Sequence, residues 1–160
     1  MKAALTIWGI AATALADQAT KTVVLSLISP GQVLPVLPGL DLALSFNEGA
    51  SFGMMSNLMA GRPLLMAALT GALALIFAFM AFRTDNRFER TGLALIVGGA
   101  LGNIIDRLRQ GAVTDFLSLY WRDWHWPTFN GADIAITLGA LIILIATFAT
   151  GRKEPLLDRN

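Results

Sequence analysis

The sequence predicts an all-α membrane protein with four transmembrane helices, and three observations support this. Of its 160 residues, 55% are hydrophobic and only 14% are charged, whereas an ordinary soluble domain is about 25% charged. A soluble domain of this size would also need more polar surface than these residues supply. Finally, four separate apolar stretches approach the length of about 20 residues that a helix needs to cross a bilayer.

The composition excludes several kinds of site and partner. There is no cysteine, which excludes disulfides, iron–sulfur clusters, thiolate metal sites and a cysteine nucleophile. A single histidine argues against a histidine-rich metal site. The net charge is only +1, with 12 Lys and Arg against 11 Asp and Glu, which gives no reason to expect nucleic acid as a partner. We therefore predict no metal and no cofactor.

The chain is long enough for one domain, 1–160, whose predicted helices lie at about residues 3–28, 64–82, 91–108 and 133–150. The first stretch also resembles a secretory signal peptide, because a lysine near its start precedes an apolar run that ends in Ala14, Leu15 and Ala16. The apolar run resumes after Lys21, however. We therefore interpret this stretch as a retained helix.

The positions of lysine and arginine predict how the helices are oriented. With the amino terminus inside, seven basic residues fall on the inner side and five on the outer side. The densest short loop, which contains Arg83, Arg87 and Arg90, then faces the cytoplasm. Both termini are predicted to be cytoplasmic, with outer loops at about residues 29–62 and 109–130.

The two outer loops differ in pattern. The first is rich in proline and glycine before an alternating segment at 42–46, which indicates turns and one or two short strands. The second contains three tryptophans and one tyrosine at 116–126. This aromatic cluster is typical of an interfacial belt or of a helix that lies on the membrane surface.

In this orientation, polar side chains converge on the outer ends of the predicted helices. They are Asp17, Lys21, Asn47, Glu48, Asn103, Asp106, Arg107, Asp115, Asn130 and Asp133. An ionisable group at membrane depth costs at least ~2.5–3.5 kcal/mol on insertion scales. Several such groups at one level therefore indicate a functional site.

Asp115 and Asp133 are separated by 18 residues of predicted loop, enough for the chain to fold back and bring them together. Two carboxylates within ~3 Å hold one proton between them. The charged carboxylate can take a proton from water while the neutral one donates to a carbonyl oxygen, which hydrolyses an amide without a metal. The flanking asparagines could hold a peptide backbone, and Arg107 could bind Asp106 or a substrate carbonyl.

Each polar residue also has a structural interpretation. Asp17 and Lys21, four apart, can form a pair that only stabilises the helix. Asn130 can be a helix cap, and Asp133 a favourable charge at a helix start. Residues 49–53 fit the G-x-S-x-G motif, but this chain lacks the parallel sheet that the serine nucleophile requires. A small transporter or proton-conducting protein remains the alternative class, because acids within a membrane also line ion paths.

Five blocks of residues follow one another along the chain, at 17–21, 47–53, 98–107, 113–116 and 129–133. In this order and spacing they resemble the bacterial lipoprotein signal peptidase (signal peptidase II) family. The resemblance implies four transmembrane helices, a small β-rich outer loop domain and a short interfacial helix in the second outer loop. It also implies an inner-membrane location with the active site at the outer face.

The resemblance further implies an intramembrane aspartic endopeptidase. Such an enzyme removes the signal peptide from diacylglyceryl-modified prolipoproteins, cleaving before the lipidated cysteine, and is inhibited by globomycin. Its catalytic residues would be Asp115 and Asp133. The supporting residues would be Asp17, Lys21, Asn47, Asn103, Asp106, Arg107 and Asn130. Its partners would be the prolipoprotein and membrane lipid, and we expect a monomer.

Overall fold

The computed structural model describes residues 2–49 and 61–151. Its helices are α1 (Lys2–Leu27), α2 (Pro63–Arg83), α3 (Arg87–Gln110) and α4 (Gly131–Gly151). Its strands are β1 (Val33–Leu37), β2 (Leu40–Asn47), β3 (Val113–Trp121) and β4 (Trp124–His125). Two features of the sequence lie outside the described residues: the serine of the 49–53 motif, and the basic residues after residue 151.

Three of the helices, α2, α3 and α4, are long and apolar enough to cross a membrane. Helix α1 is not among them, so the fourth transmembrane helix stays a prediction. Its surface nevertheless has the pattern of a helix in lipid. Leu5, Trp8 and Leu15 are exposed, whereas Asp17 and Lys21 are buried.

Helix α3 lies at the centre of the bundle and packs against α1, α2 and α4. In its most apolar stretch 61% of the residues are buried, against 22% in α2 and in α4. The side chain of Asn86 caps its start by accepting from the backbone N–H groups of Phe88 and Glu89. The helix therefore begins before the predicted stretch 91–108. It ends at Gly111, whose φ of 80° suits a left-handed cap.

Glycines in α3 allow the neighbouring helices to approach closely. A Cβ at Gly98 would lie 2.5 Å from the Cβ of Thr13 in α1. A Cβ at Gly99 would lie 2.6 Å from the carbonyl oxygen of Ala132 in α4. Because real Cβ atoms do not make such contacts, any larger residue here would separate the helices.

We expect Gly99→Ala to lower the free energy of unfolding by about 1–3 kcal/mol, because the added methyl group has to displace the backbone of α4. Gly71→Ala in α2 is the matched control. The nearest atom to its added Cβ is Ile104 Cδ1 at 4.0 Å, and alanine gains up to about 1 kcal/mol over glycine in a helix. Denaturant unfolding in one detergent compares the two variants. If Gly99→Ala and Gly71→Ala have equal free energies of unfolding, α3 does not pack closely on α4 at Gly99.

The strands form one antiparallel sheet in the order β1-β2-β3-β4. This confirms the prediction of one or two short strands in the first loop. In the β2–β3 pair, Ser45 lies opposite Asp115 and Asn47 lies opposite Val113. The sheet packs on the end of α1, where Phe116 contacts Val24 within the apolar core. We call this the sheet end of the bundle: the last turns of α1 and α3 and the first turns of α2 and α4.

The prediction of a short interfacial helix in the second loop is wrong. Residues 113–121 form β3, and β4 returns along it, pairing His125 with Tyr120. The backbone of β3 bonds to β2 on its other side, so the strand has the hydrogen bonds that a helix would otherwise supply. The turn is tight, with Arg122 at a φ of 53°. Trp121 and Trp124 are exposed at the tip of this hairpin.

Candidate active site

Nine polar side chains are buried together at the sheet end. They are Asp17, Lys21, Asn103, Asp106, Arg107, Thr114, Asp115, Asn130 and Asp133. Within residues 2–49 and 61–149, Thr6 is the only other buried polar side chain. Eight of the nine belong to the nine site residues that the family resemblance implies, and the ninth of these, Asn47, is half-buried and bonded to Asp115. Glu48, which the sequence placed at the same level, is exposed and accepts from the backbone N–H of Gly61 at 3.1 Å. The structure therefore brings all nine implied site residues to one end of the bundle.

Asn130 connects Asp115 of β3 to Asp133 of α4. Its Nδ2 donates to Asp115 Oδ1 at 2.6 Å, and its backbone N–H donates to Asp133 Oδ2 at 3.2 Å. Its Oδ1 accepts from the backbone N–H of Asp133 at 3.0 Å, so the two residues form reciprocal capping bonds at the start of α4. Asn130 is thus both a helix cap and a link between the two carboxyl groups.

Two more asparagines hold the other oxygens of these carboxyl groups. Asn47 Nδ2 donates to Asp115 Oδ2 at 3.2 Å. Asn103 Nδ2 donates to Asp133 Oδ1 at 3.3 Å, and its Oδ1 accepts from Asn130 Nδ2 at 3.2 Å. Asp133 also lies in the first turn of α4, where the helix dipole favours negative charge.

The carboxyl group of Asp115 is only 2% exposed. Burial raises its pKa from the ordinary 3.8 to about 6, and the negative charge of Asp133 adds to this shift. Hydrogen bonds from Asn47 and Asn130 favour the charged form and oppose the shift. Asp115 therefore keeps its proton to a higher pH than an exposed aspartate.

The raised pKa of Asp115 predicts how stability depends on pH. Its folded-state pKa, about 6, lies above the unfolded value of 3.8. The stabilisation is therefore fully present below the unfolded value and is lost as the pH rises through about 6, by about 3 kcal/mol. Asp115→Asn removes this titration. Between the unfolded and the folded pKa of Asp115, the free energy of unfolding of the native protein should therefore fall relative to that of Asp115→Asn. Denaturant unfolding of both proteins in one detergent measures this. If the difference in free energy between them does not vary with pH, the pKa of Asp115 is not raised in the folded protein.

Lys21 is the cation at the centre of the buried cluster. Its Nζ lies 2.8 Å from Asp17 Oδ2, 2.8 Å from Asp106 Oδ2 and 3.0 Å from Asn103 Oδ1. The predicted pairing of Asp17 with Lys21 is therefore confirmed. Asp17 Oδ1 also accepts from the backbone N–H of Ala132 at 2.8 Å. The cluster thus ties α1 to both α3 and α4, next to the two carboxyl groups.

Arg107 does not make the pairing with Asp106 that the sequence left open. Its Nη2 donates to the carbonyl oxygen of Gly49 at 2.7 Å, and its Nη1 donates weakly to that of Asn103 at 3.4 Å. Asp106 is occupied by Lys21, because that ammonium group reaches across from α1. Among the described residues, Arg107 Nε is buried without a hydrogen-bond partner.

The family model of signal peptidase (SPase) II matches residues 9–149 of this chain. The chain belongs to the signal peptidase II family. The lipoprotein signal peptidase of Geobacter metallireducens is 41% identical over 140 residues, which cover 86% of each chain. That of Coxiella burnetii is 34% identical over 151 residues, which cover 93% of each chain.

Two solved structures of bacterial membrane enzymes have a fold similar to that of this chain. A bacterial membrane enzyme solved by the in meso method at 2.3 Å resolution superposes with a TM-score of 0.82 and 26% identity, covering 98% of this chain and 95% of that one. A second, at 1.9 Å resolution, has a TM-score of 0.78 and 28% identity, covering 95% of each chain. This protein is therefore a multi-pass membrane protein of a peptidase family.

In this signal peptidase II family member, an apolar cavity of about 260 Å³ adjoins Asp133. Its walls come from the hairpin and from α4, and include Leu119, Trp126, Phe129 and Leu138. A second cavity of about 310 Å³ is lined by polar side chains of the Lys21 cluster. Asp133 thus lies beside an apolar cavity, whereas the second cavity opens on Lys21 and Asp106.

Sequence reasoning missed two residues of the site. Gln18 Nε2 donates to Asp106 Oδ1 at 2.8 Å and to the carbonyl oxygen of Gly102 at 3.1 Å. The backbone N–H of Thr114 donates to Asp106 Oδ2 at 3.0 Å. Both residues had a usable signal, since Gln18 lies in the block 17–21 beside Asp17 and Thr114 lies in the block 113–116 beside Asp115. Within the parts of the chain that the structure describes, no cluster of three or more His, Cys, Asp or Glu side chains is placed to hold a metal ion.

Proposed function

We propose that this protein is an intramembrane aspartic endopeptidase that removes the signal peptide from diacylglyceryl-modified prolipoproteins. It cleaves the peptide bond before the lipidated cysteine. The observation that carries the proposal is the link through Asn130, which donates its side-chain amide to the buried carboxyl group of Asp115 and its backbone N–H to that of Asp133. The influence of the Asp133 charge on the pKa of Asp115 supports a pair that shares one proton.

The two carboxyl groups have different roles in the proposed reaction. We assign the role of acid to Asp115, because burial and the charge of Asp133 raise its pKa and so favour its protonated form. Asp133, at the start of α4, is the charged member and takes a proton from the attacking water. As the oxygen of that water bonds to the scissile carbonyl carbon, Asp115 donates its proton to the carbonyl oxygen. When the tetrahedral intermediate collapses, Asp133 returns its proton to the departing amine nitrogen and the C–N bond breaks. Asp115 takes back a proton from a hydroxyl group of the intermediate, which leaves a carboxylic acid product and restores the pair.

Asparagines and Arg107 position the reacting groups. Asn103 and Asn130 fix the orientation of Asp133, and Asn47 fixes that of Asp115. Arg107 holds the backbone of Gly49 beside the site, and its buried Nε can donate to a substrate carbonyl. The Lys21 cluster sets the relative positions of the helices that carry these groups.

The chemistry of the substrate fits this location. A signal peptide already lies in the bilayer as an apolar helix, and diacylglyceryl chains hold the cleavage site near the membrane surface. The apolar cavity that adjoins Asp133 offers a place for these apolar groups. We place the protein in the bacterial inner membrane as a monomer, with both termini in the cytoplasm and the site at the outer face.

Purified protein in detergent, incubated with a diacylglyceryl-modified prolipoprotein, tests the proposal. We expect a product that begins at the lipidated cysteine, identified by mass spectrometry, and inhibition by globomycin. The same precursor without the lipid is the matched control and should be cleaved far more slowly. Cleavage at another bond, or equal cleavage of both precursors, would overturn the proposed specificity.

A further inference from the structure

A groove of about 570 Å³ runs between α1 and α3 at the end of the bundle opposite the sheet. Its walls are mostly apolar and include Leu5, Ala12, Ala94 and Leu95. Arg87 and Arg90, in the first turns of α3, line the same groove. The groove is thus an apolar channel with two cations, separate from the site of Asp115 and Asp133.

The threonines of this groove do not add polar groups for a ligand. The hydroxyl of Thr6 donates to the carbonyl oxygen of Lys2 at 3.1 Å. Those of Thr13 and Thr91 donate to backbone carbonyl oxygens of their own helices, each at 2.9 Å. Because these hydroxyl donors are satisfied locally, the arginines are the remaining hydrogen-bond donors in the groove.

Arg90 has a buried donor without an acceptor. Its Nη1 is buried and has no hydrogen-bond partner among the described residues, and in that part of the chain neither Arg90 nor Arg87 forms an ion pair. The nearby acids make their short contacts elsewhere: Asp85 pairs with Lys2 at 2.6 Å, and Glu89 accepts from the hydroxyl of Thr84. The charge of Arg90 acts on Asp85 only as a weaker, longer-range attraction. A buried charged donor left unpaired is costly, so an external anion would stabilise it.

We propose that this groove binds an acidic phospholipid, with the phosphate on Arg90 and Arg87 and an acyl chain along the apolar wall. Helix α3 is apolar enough to cross a membrane and begins at Arg87, which places both arginines where lipid phosphates lie. Basic pockets between transmembrane helices suit such headgroups. Arginine also binds phosphate with charge-assisted hydrogen bonds. Two cations with an apolar wall favour a net-negative lipid over a zwitterionic one.

Native mass spectrometry of the purified full chain with phosphatidylglycerol tests this proposal. We expect Arg90→Gln to weaken phosphatidylglycerol binding about tenfold. Ala12→Trp, at an exposed position on the wall, should weaken it similarly by filling the acyl channel while leaving both arginines in place. Arg83→Gln is the matched control: it lies at the same end but its guanidinium group rests 5.4 Å from the Phe79 ring, outside the groove. Its binding should match that of the native protein.

Each outcome of this experiment decides the proposal. Unchanged binding in both Arg90→Gln and Ala12→Trp would overturn it, as would equal affinity for phosphatidylcholine. If excess inorganic phosphate displaces the lipid, and Ala12→Trp still binds phosphatidylglycerol as tightly as the native protein, the site binds free phosphate and not a phospholipid. If Arg90→Gln fails to fold, the binding of phosphatidylglycerol by Ala12→Trp is the test: weakened binding supports the proposal, and unchanged binding overturns it. Binding is measured without substrate, so the result is independent of the proposed peptidase activity.

Discussion

We expect Asp115→Asn and Asp133→Asn each to reduce prolipoprotein cleavage by about 10³-fold or more, with the protein still folded. An asparagine keeps the shape of the aspartate and one of its two acceptor oxygens, so one of the two hydrogen bonds to each carboxyl group is retained. It can neither take a proton from water nor donate one as an acid. Asn130 holds the two carboxyl groups next to each other. The proposed attack of water on the scissile carbonyl needs both of them, so the loss of either one stops this step.

Asp123→Asn is the matched control for the loss of the carboxyl groups. Asp123 lies in the turn of the same hairpin as Asp115 but is exposed, so this variant should cleave at the native rate. Cleavage is measured as the initial rate of product release in detergent, and folding as the unfolding midpoint. Near-native rates for either Asp115→Asn or Asp133→Asn would refute the two-carboxyl mechanism.

The second large effect concerns Lys21. We expect Lys21→Met to lower the free energy of unfolding by about 3–5 kcal/mol, because it leaves two buried carboxylates without a cation. The side chains of Lys21 and Asp17 are only 3% and 1% exposed, so water cannot replace the lost partner. The cluster also ties α1 to α4 beside Asp133, and activity should fall together with stability.

Lys2→Met is the matched control for Lys21→Met. Lys2 also pairs with an aspartate, Asp85, but those side chains are 66% and 91% exposed, so this variant should unfold like the native protein. Denaturant unfolding in one detergent measures both variants. In Lys21→Met, the additional change Asp106→Asn should recover part of the lost stability, because one buried charge then disappears. Equal stability of the two methionine variants would show that the buried cluster contributes little.

The residue pattern predicted the apolar helices and the gathering of polar side chains at one end of the bundle. Helices α2, α3 and α4 follow from composition, since runs without charge are long enough to cross a bilayer. Asp17 and Lys21 were predicted to pair because their spacing places them on one face of one helix. These predictions succeeded because they depend on local periodicity and on the high cost of polar groups in lipid.

The second loop and the partner of Asp106 were harder to predict. Residues 113–121 became a strand because β2 provides a hydrogen-bonding edge, and nothing local to the loop encodes that edge. Asp106 bonds to Lys21 and Gln18 of α1 instead of to its chain neighbour Arg107. Such pairings depend on how closely α1 approaches α3, which Gly98 and Gly102 permit.

The sequence by itself determined the kind of protein: apolar helices for a membrane, and a set of acids and asparagines near their ends. Only the tertiary structure decided that Asn130 holds Asp115 and Asp133 together, since these carboxyl groups come from a strand and a helix. The physical reason is the distance along the chain over which each interaction acts. Hydrophobicity and helical spacing act over a few residues, whereas the shared hydrogen bonds depend on distant segments packing to within a few ångströms.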